Sequence, residues 1–163
     1  MPKQFVINAS PIILYARIGK LNLLNELSSG VLIPDKVIEE IQKGAFKDNT
    51  AQEALAWAKQ YRLENITVQP SVELWNLGPG ESQVISRCLQ SNSWAVLDDK
   101  MARRCIQAHD LEMTGSLGII IRAKLFGLVS SARPWLFKLR EAGLRVDPHL
   151  LEKALDSIGE KKK

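Results

Sequence analysis

Trp94-Ala-Val-Leu-Asp98-Asp99 is a short apolar run that stops at two adjacent carboxylates. Lys100-Met-Ala-Arg103-Arg104 follows and reads as the first turns of a helix. An unbroken apolar run of this length is what a strand buried on both faces requires, so it points to the interior of a parallel sheet. Acidic side chains at the carboxyl end of such a strand stand where open α/β sheets place their ligands. Two carboxylates there repel each other, and a divalent cation relieves that repulsion. The same residues also suit a surface turn in which an Asp caps the next helix. The segment alone leaves the two readings level, and the rest of the chain has to decide.

Outward from this stretch, strands and helices alternate. Toward the N-terminus, residues 3–8 read as a strand centred on Phe5-Val6-Ile7. Ser10-Pro11 opens a helix, with Ser as cap and Pro at the first helical position, and Gly19 stops it. A short helix covers residues 21–27, and Val31-Leu32-Ile33 is a buried strand that feeds a helix from Pro34-Asp35 to Ile41. Thr50-Ala-Gln-Glu53 fits a capping box, and the helix it opens turns Leu55, Ala56 and Trp57 inward. Ile66-Thr67-Val68 is strand-like and leads to the loop Asn76-Leu-Gly78-Pro-Gly80 and a helix from Glu81. Toward the C-terminus, Leu111-Glu-Met113 is a short strand, and Thr114-Gly115-Ser116 turns into a long helix. A helix from Pro134, an extended piece at Gly143-Leu-Arg-Val146 and a helix from Pro148 complete the chain. No tight hairpin turn joins two strands, so the pattern predicts one α/β domain over residues 1–160, with helices on both faces of a parallel sheet and a basic tail at 161–163.

Composition narrows the function classes. The chain has 163 residues, enough for one domain with a real core, and 45% hydrophobic and 25% charged residues are ordinary values for a globular protein. Its apolar runs are too short for a membrane span, and the N-terminus lacks a signal-peptide layout, so no membrane partner is expected. Cys88 and Cys105 have no metal-ligand neighbours at useful spacing and read as reduced thiols in a cytoplasmic protein. His109 and His149 stand apart from each other and from the cysteines, which argues against zinc. The net charge is +4 and the pI about 9.1, compatible with a polyanionic partner.

Several strand ends carry oxygen donors. The first ends in Asn8 and Ser10; the second feeds a helix bearing Glu39 and Glu40; the glycine loop leads to Glu81. The Trp94 strand ends in Asp98 and Asp99, and the next in Thr114 and Ser116. A parallel sheet lines all these ends along one edge. Carboxylate, amide and hydroxyl oxygens suit Mg²⁺ or Mn²⁺, which activate water and offset charge on a phosphodiester. Each group also has a plainer use. Asn8 and Ser10 suit a turn and cap, Glu81 suits the positive end of a helix dipole, and Thr114 and Ser116 suit caps. Glu40 lies three residues after Val37 and beside Ile41, which favours it over Glu39 as the inward carboxylate.

Five stretches resemble the PIN-domain superfamily, in particular a group of small prokaryotic members. They are Val6-Ile-Asn8-Ala-Ser10-Pro11-Ile-Ile with Ile18-Gly-Lys-Leu-Asn-Leu-Leu; Ile33-Pro34-Asp-Lys-Val37-Ile-Glu-Glu40-Ile; Leu77-Gly78-Pro-Gly80-Glu81-Ser-Gln83-Val-Ile; Leu97-Asp98-Asp99-Lys-Met-Ala-Arg103-Arg104; and Thr114-Gly115-Ser-Leu-Gly118. The resemblance implies a Rossmann-like three-layer α/β/α sandwich with a central parallel sheet of about four to five strands. It also implies metal-dependent ribonuclease chemistry and, in many relatives, a toxin role beside an antitoxin. The family's acidic positions match Glu40 and Asp99, with Asp98 beside it, while a third falls in the Glu81 to Gln83 region. Its first acid is here Asn8.

The resulting expectation is a Mg²⁺- or Mn²⁺-dependent endoribonuclease. Glu40, Asp98 and Asp99 are catalytic; Asn8, Glu40, Glu81, Asp98 and Asp99 are metal ligands; Ser10, Lys100, Arg103, Arg104, Thr114 and Ser116 hold RNA. The alternative is a weak or inactive module that binds RNA or a small antitoxin-like protein, motivated by Asn8 and Gln83. A phospho-acceptor domain is disfavoured because no acidic pair follows the first strand. The aliphatic set Ile12, Ile13, Leu21, Leu23 and Leu24 would serve a homodimer, although core packing is its simpler use.

Overall fold

The computed structural model describes residues 4–45 and 47–160. The expected tail at 161–163, and the Lys3 start of the first strand, lie outside the described residues. In chain order the elements are β1 (Gln4–Ile7), α1 (Ala9–Arg17), α2 (Asn22–Glu26), β2 (Gly30–Pro34), α3 (Asp35–Lys43), α4 (Asn49–Lys59), β3 (Arg62–Leu63), α5 (Pro70–Glu73), α6 (Pro79–Ser91), β4 (Trp94–Val96), α7 (Lys100–Ala108), β5 (Met113–Thr114), α8 (Ser116–Leu125), α9 (Arg133–Ala142) and α10 (Pro148–Ser157).

The strands form a five-stranded sheet in the order β3-β2-β1-β4-β5, with every pairing parallel. Helices flank it to give the three-layer α/β/α arrangement the sequence predicts. Phe5, Val6 and Ile7 on the central strand are fully buried, as are Ala95 and Val96 beside them. Burying an Ile or Phe side chain stabilises the fold by roughly 1.5–3 kcal/mol, so β1 is its anchor. The ladder runs one residue past the strands at the edge that matters for function. Asn8 N donates to Val96 O at 2.9 Å, and Leu97 N donates to Thr114 O at 3.1 Å. Asn8, Asp98 and Ser116 therefore leave the sheet along one rim. Of the five aliphatic residues proposed for a dimer face, Ile12, Leu23 and Leu24 belong to the core, while Ile13 and Leu21 are partly buried.

Several local expectations need correction. Ile66-Thr67-Val68 is not a strand; the third strand is the Arg62–Leu63 pair beside Ile33 and Pro34. Side chains of α6 hold the 66–69 segment instead. Gln83 Oε1 accepts from Ile66 N at 2.9 Å, Gln83 Nε2 donates to Ile66 O at 2.7 Å, and Gln69 N donates to Ser86 Oγ at 3.1 Å. Residues 143–146 pair with no strand among the described residues; Leu144 N instead closes the end of α9 on Leu139 O at 2.9 Å. Helix α1 starts at Ala9, ahead of Ser10-Pro11, and Ser10 is exposed. The cap of α4 is Asp48, which accepts from Ala51 N, so Thr50 is not the cap. On α4 the buried positions are Ala54 and Ala58, one turn apart, and Ala56 faces solvent. Small side chains on that row let α4 lie against α1 and α3.

Candidate active site

Two clusters occupy the carboxyl edge of the sheet. The first is built from Asn8 after β1, Glu40 on α3, and Gly80 and Glu81 in the first turn of α6. Asn8 is only 4% exposed. Its Nδ2 donates to Glu81 Oε1 at 3.4 Å, a long bond, and its Oδ1 is buried with no hydrogen-bond partner. Glu40 Oε1 accepts from Gly80 N at 3.1 Å. The backbone approaches so closely here that a Cβ on Gly80 would stand 2.5 Å from Glu40 Oε1 and 3.1 Å from Asn8 Oδ1. Burial, and then the negative charge of Glu81, hold the Glu40 carboxyl above its ordinary range; the Gly80 N–H and Lys43 act in the opposite direction.

The second cluster surrounds Asp98. Ser116 N donates to its Oδ1 at 2.8 Å and Ser116 Oγ to its Oδ2 at 2.7 Å. Tyr15, on α1 and wholly buried, donates from its hydroxyl to Ser116 O at 2.7 Å and so fixes the residue that fixes Asp98. Burial, and then Asp98, push the Tyr15 phenol well above its usual range, so it stays a donor. Ser116 thus orients a carboxylate; it does not cap α8, whose N-cap residue is Gly115, and buried Thr114 is no cap either. Arg103 Nη2 and Asp98 Oδ1 both abut Gly115, where an added Cβ would meet them at 3.2 and 2.9 Å.

Asp99 does what the plainer reading of the opening stretch requires. Its Oδ2 accepts from Ala102 N at 2.9 Å and caps α7, and its side chain stands at the surface. It still faces the same opening as its neighbour. A cleft of about 400 Å³ is lined by Asn8, Ser10, Glu81, Asp98 and Asp99, and by Arg145 from the far wall. A second cleft of about 400 Å³ joins Asn8, Ser10 and Glu81 to Glu40. The structure therefore brings together every acidic residue expected from the sequence, in two adjoining clefts that share Glu81. Gln83 is not with them, because both ends of its amide are spent on Ile66.

Lys100, Arg103 and Thr114 line a third, larger cavity beside Asp98, of about 900 Å³. Arg104 is exposed on α7 and is not among the residues lining these clefts. Tyr15, Gly80 and Arg145 belong to the site without having been read from the sequence. Gly80 carries a weak signal, since glycine is the residue that permits close backbone approach. Tyr15 sits in an apolar helix pattern, and Arg145 in a stretch of no recognisable pattern.

Among the described residues, no three of His, Cys, Asp and Glu gather closely enough to hold a metal ion. The corner of Glu40 and Glu81 is completed by an amide. Two carboxylates and a buried amide oxygen lacking any donor still make a hard-oxygen set suited to Mg²⁺ or Mn²⁺.

No curated protein matches the chain in sequence. Among solved structures it is similar to VapBC2 from Rickettsia felis bound to a DNA fragment from its promoter, at 16% identity, over 69% of this chain and 98% of that one, with a TM-score of 0.45. It is similar to a domain of a functionally unknown protein from Methanocaldococcus jannaschii, at 16% identity over 71% and 91% of the two chains, TM-score 0.47. VapBC-1 from nontypeable Haemophilus influenzae aligns at 12% identity over 70% and 98%, TM-score 0.44. A family model described as a PIN domain, DUF3368, matches residues 4–160, and with that nearly full-length match the chain belongs to this family of PIN domains.

Proposed function

We propose that the protein is a divalent-metal-dependent endoribonuclease acting as the toxin of a toxin–antitoxin pair. PIN domains generally use divalent metals, and family membership supplies the reaction class. The observation that carries the reading is Asn8 Oδ1, a buried acceptor with no donor, set between two carboxylates at the ligand-binding edge of the sheet. Leaving such an atom unpaired costs roughly 1–3 kcal/mol, and a bound cation removes that cost.

In this reading Asn8, Glu40 and Glu81 hold Mg²⁺ or Mn²⁺. Such an ion supplies charge neutralisation at the phosphodiester and acidifies the attacking water. Asp98, held by Ser116, fixes the geometry of the adjoining cleft, and Asp99 keeps the first turn of α7 in place below it. Ser10 lines both smaller clefts, and in this reading it holds the RNA backbone together with Lys100 and Arg103. The test is cleavage of labelled single-stranded RNA by the full chain with Mn²⁺. Cutting should disappear with EDTA and in Glu40→Gln and Glu81→Gln. Cutting that persists in EDTA, or in both variants, rejects the proposal. Expression of the chain alone should arrest growth, and expression of Glu40→Gln should not.

One observation favours a second reading. With an amide at Asn8, the corner carries one negative charge fewer than a full set of acids, which weakens attraction for a cation. A module that binds RNA or a small antitoxin-like protein without cutting would take up no Mn²⁺ near millimolar concentration, and calorimetry decides between the two.

A further inference from the structure

The larger cavity has a feature the acidic clefts lack. Lys100, Arg103 and Arg145 line it beside two carboxylates, Asp98 and Asp147, and none of the three cations is in an ion pair among the described residues. Arg103 Nε is buried and has no hydrogen-bond partner, although a buried guanidinium nitrogen ordinarily finds one. Lys100 occupies the first turn of α7, next to the Asp99 carboxylate that caps that helix end. The unpartnered Arg103 Nε breaks a local rule, and such violations mark functional positions. The cavity floor is aliphatic, with Leu117 and Ile121 from α8.

Arg145 is the only cation among the residues lining the cleft with Asp98 and Asp99, and it also lines the larger cavity. Its backbone belongs to the turn between α9 and α10, so the C-terminal wall carries it to the junction of the two spaces. That wall is tied down at its base: Arg17 Nη1 donates to Ala142 O at 2.6 Å.

We propose that Arg145 is a substrate-positioning residue that takes a backbone phosphate of single-stranded nucleic acid as the strand passes from the acidic cleft into the larger cavity, where Lys100 and Arg103 take the next phosphate. The inference rests on the nucleic-acid reading above and adds a path and a residue to it. An aliphatic floor under a cationic rim suits an unpaired strand, whose bases can turn onto apolar surface while its phosphates meet the rim.

The test is fluorescence anisotropy of a labelled oligouridylate with the full chain in EDTA, across a salt series, beside the cleavage assay. Arg145→Ala should weaken binding about five- to tenfold and reduce the slope of log affinity against log salt by about 0.7, the value for one single-strand phosphate contact. Arg145→Lys should restore the slope, and Lys59→Ala on α4 should leave both quantities unchanged. Unchanged affinity and slope in Arg145→Ala overturn the inference while leaving the nuclease reading intact. Wild-type binding that depends on Arg145 without cleavage upholds the inference and removes the nuclease reading. A wild-type chain that fails to bind the oligomer at low salt overturns the inference, and cleavage with Mn²⁺ alone then decides the nuclease reading.

Discussion

Glu40 Oε1 lies 3.1 Å from Gly80 N, and the absence of a side chain on Gly80 is what admits it. A methyl there would stand 2.5 Å from that oxygen. The atom that must yield most is the end of a flexible, partly exposed side chain, so Glu40 can swing outward, while buried Asn8 Oδ1, at 3.1 Å, must give by a few tenths of an ångström. The helix gains up to about 1 kcal/mol from replacing Gly by Ala and loses one hydrogen bond to a charged acceptor of comparable worth. Gly80→Ala should therefore leave the urea midpoint nearly unchanged and reduce Mn²⁺ affinity at least tenfold by calorimetry. Loss of stability with affinity retained would show that Glu40 is not poised for a cation.

Asp99 performs a structural task that would confuse a simple test of its chemistry. As cap of α7 it accepts from Ala102 N, and replacing such a cap by Ala costs about 1 kcal/mol, whereas Asn caps equally well. Asp99→Ala should lower stability by about that amount in urea unfolding, and Asp99→Asn by a few tenths at most. If the carboxylate itself serves the reaction, both variants should lose cleavage alike. Activity that follows stability, falling only in Asp99→Ala, assigns Asp99 to the cap alone.

The Glu40 carboxyl is held above its ordinary value of 4.5 by burial and by Glu81. A raised pKa in the folded state means the native protein binds this proton more tightly than the unfolded chain does. Stability from this group is thus present below the unfolded value and declines as pH rises through the folded one. Glu40→Gln removes that dependence and keeps an acceptor for Gly80 N. Thermal unfolding at pH 7 should show Glu40→Gln above the metal-free wild type, with the gap closing toward pH 4. Added Mn²⁺ should raise the wild-type midpoint and leave the variant unmoved.

The parts of this structure that were legible in the sequence are those governed by local pattern. The Trp94 run ended where the carboxylates begin because a two-sided strand needs apolar residues throughout, and parallel pairing then fixed which strand ends share a rim. What escaped was governed by contacts distant in the chain. Ile66-Thr67-Val68 has strand composition, yet Gln83, 17 residues on, takes both of Ile66's backbone groups. The same bonds explain why Gln83 contributes nothing to the acidic edge. Ser116 suits a helix cap as well as a clamp on Asp98, because both require the same hydroxyl, and the Tyr15 bond that fixes it spans 101 residues. Arg145 carries no local signal, because the segment between α9 and α10 lacks regular pairing and only tertiary packing sets it against the cleft.

Asn8→Asp follows most directly from the corner geometry. The substitution exchanges a neutral amide for a carboxylate of nearly equal shape at a site 4% exposed, beside Glu40 and Glu81. Without metal it loses the donor to Glu81 and adds a third like charge, so the fold should lose roughly 1–3 kcal/mol at pH 7, the range for breaking a buried polar contact. That loss should shrink as the pH falls and the new carboxyl takes up a proton. With Mn²⁺ the sign reverses, because three carboxylates attract a divalent ion more strongly than two carboxylates and an amide. Calorimetry should show tighter Mn²⁺ binding in Asn8→Asp, the thermal midpoint should rise past that of wild type at saturating metal, and RNA cleavage should increase. A variant destabilised to the same degree with and without Mn²⁺ would mean that no cation sits at this corner, and the orphaned oxygen of Asn8 would then need another partner.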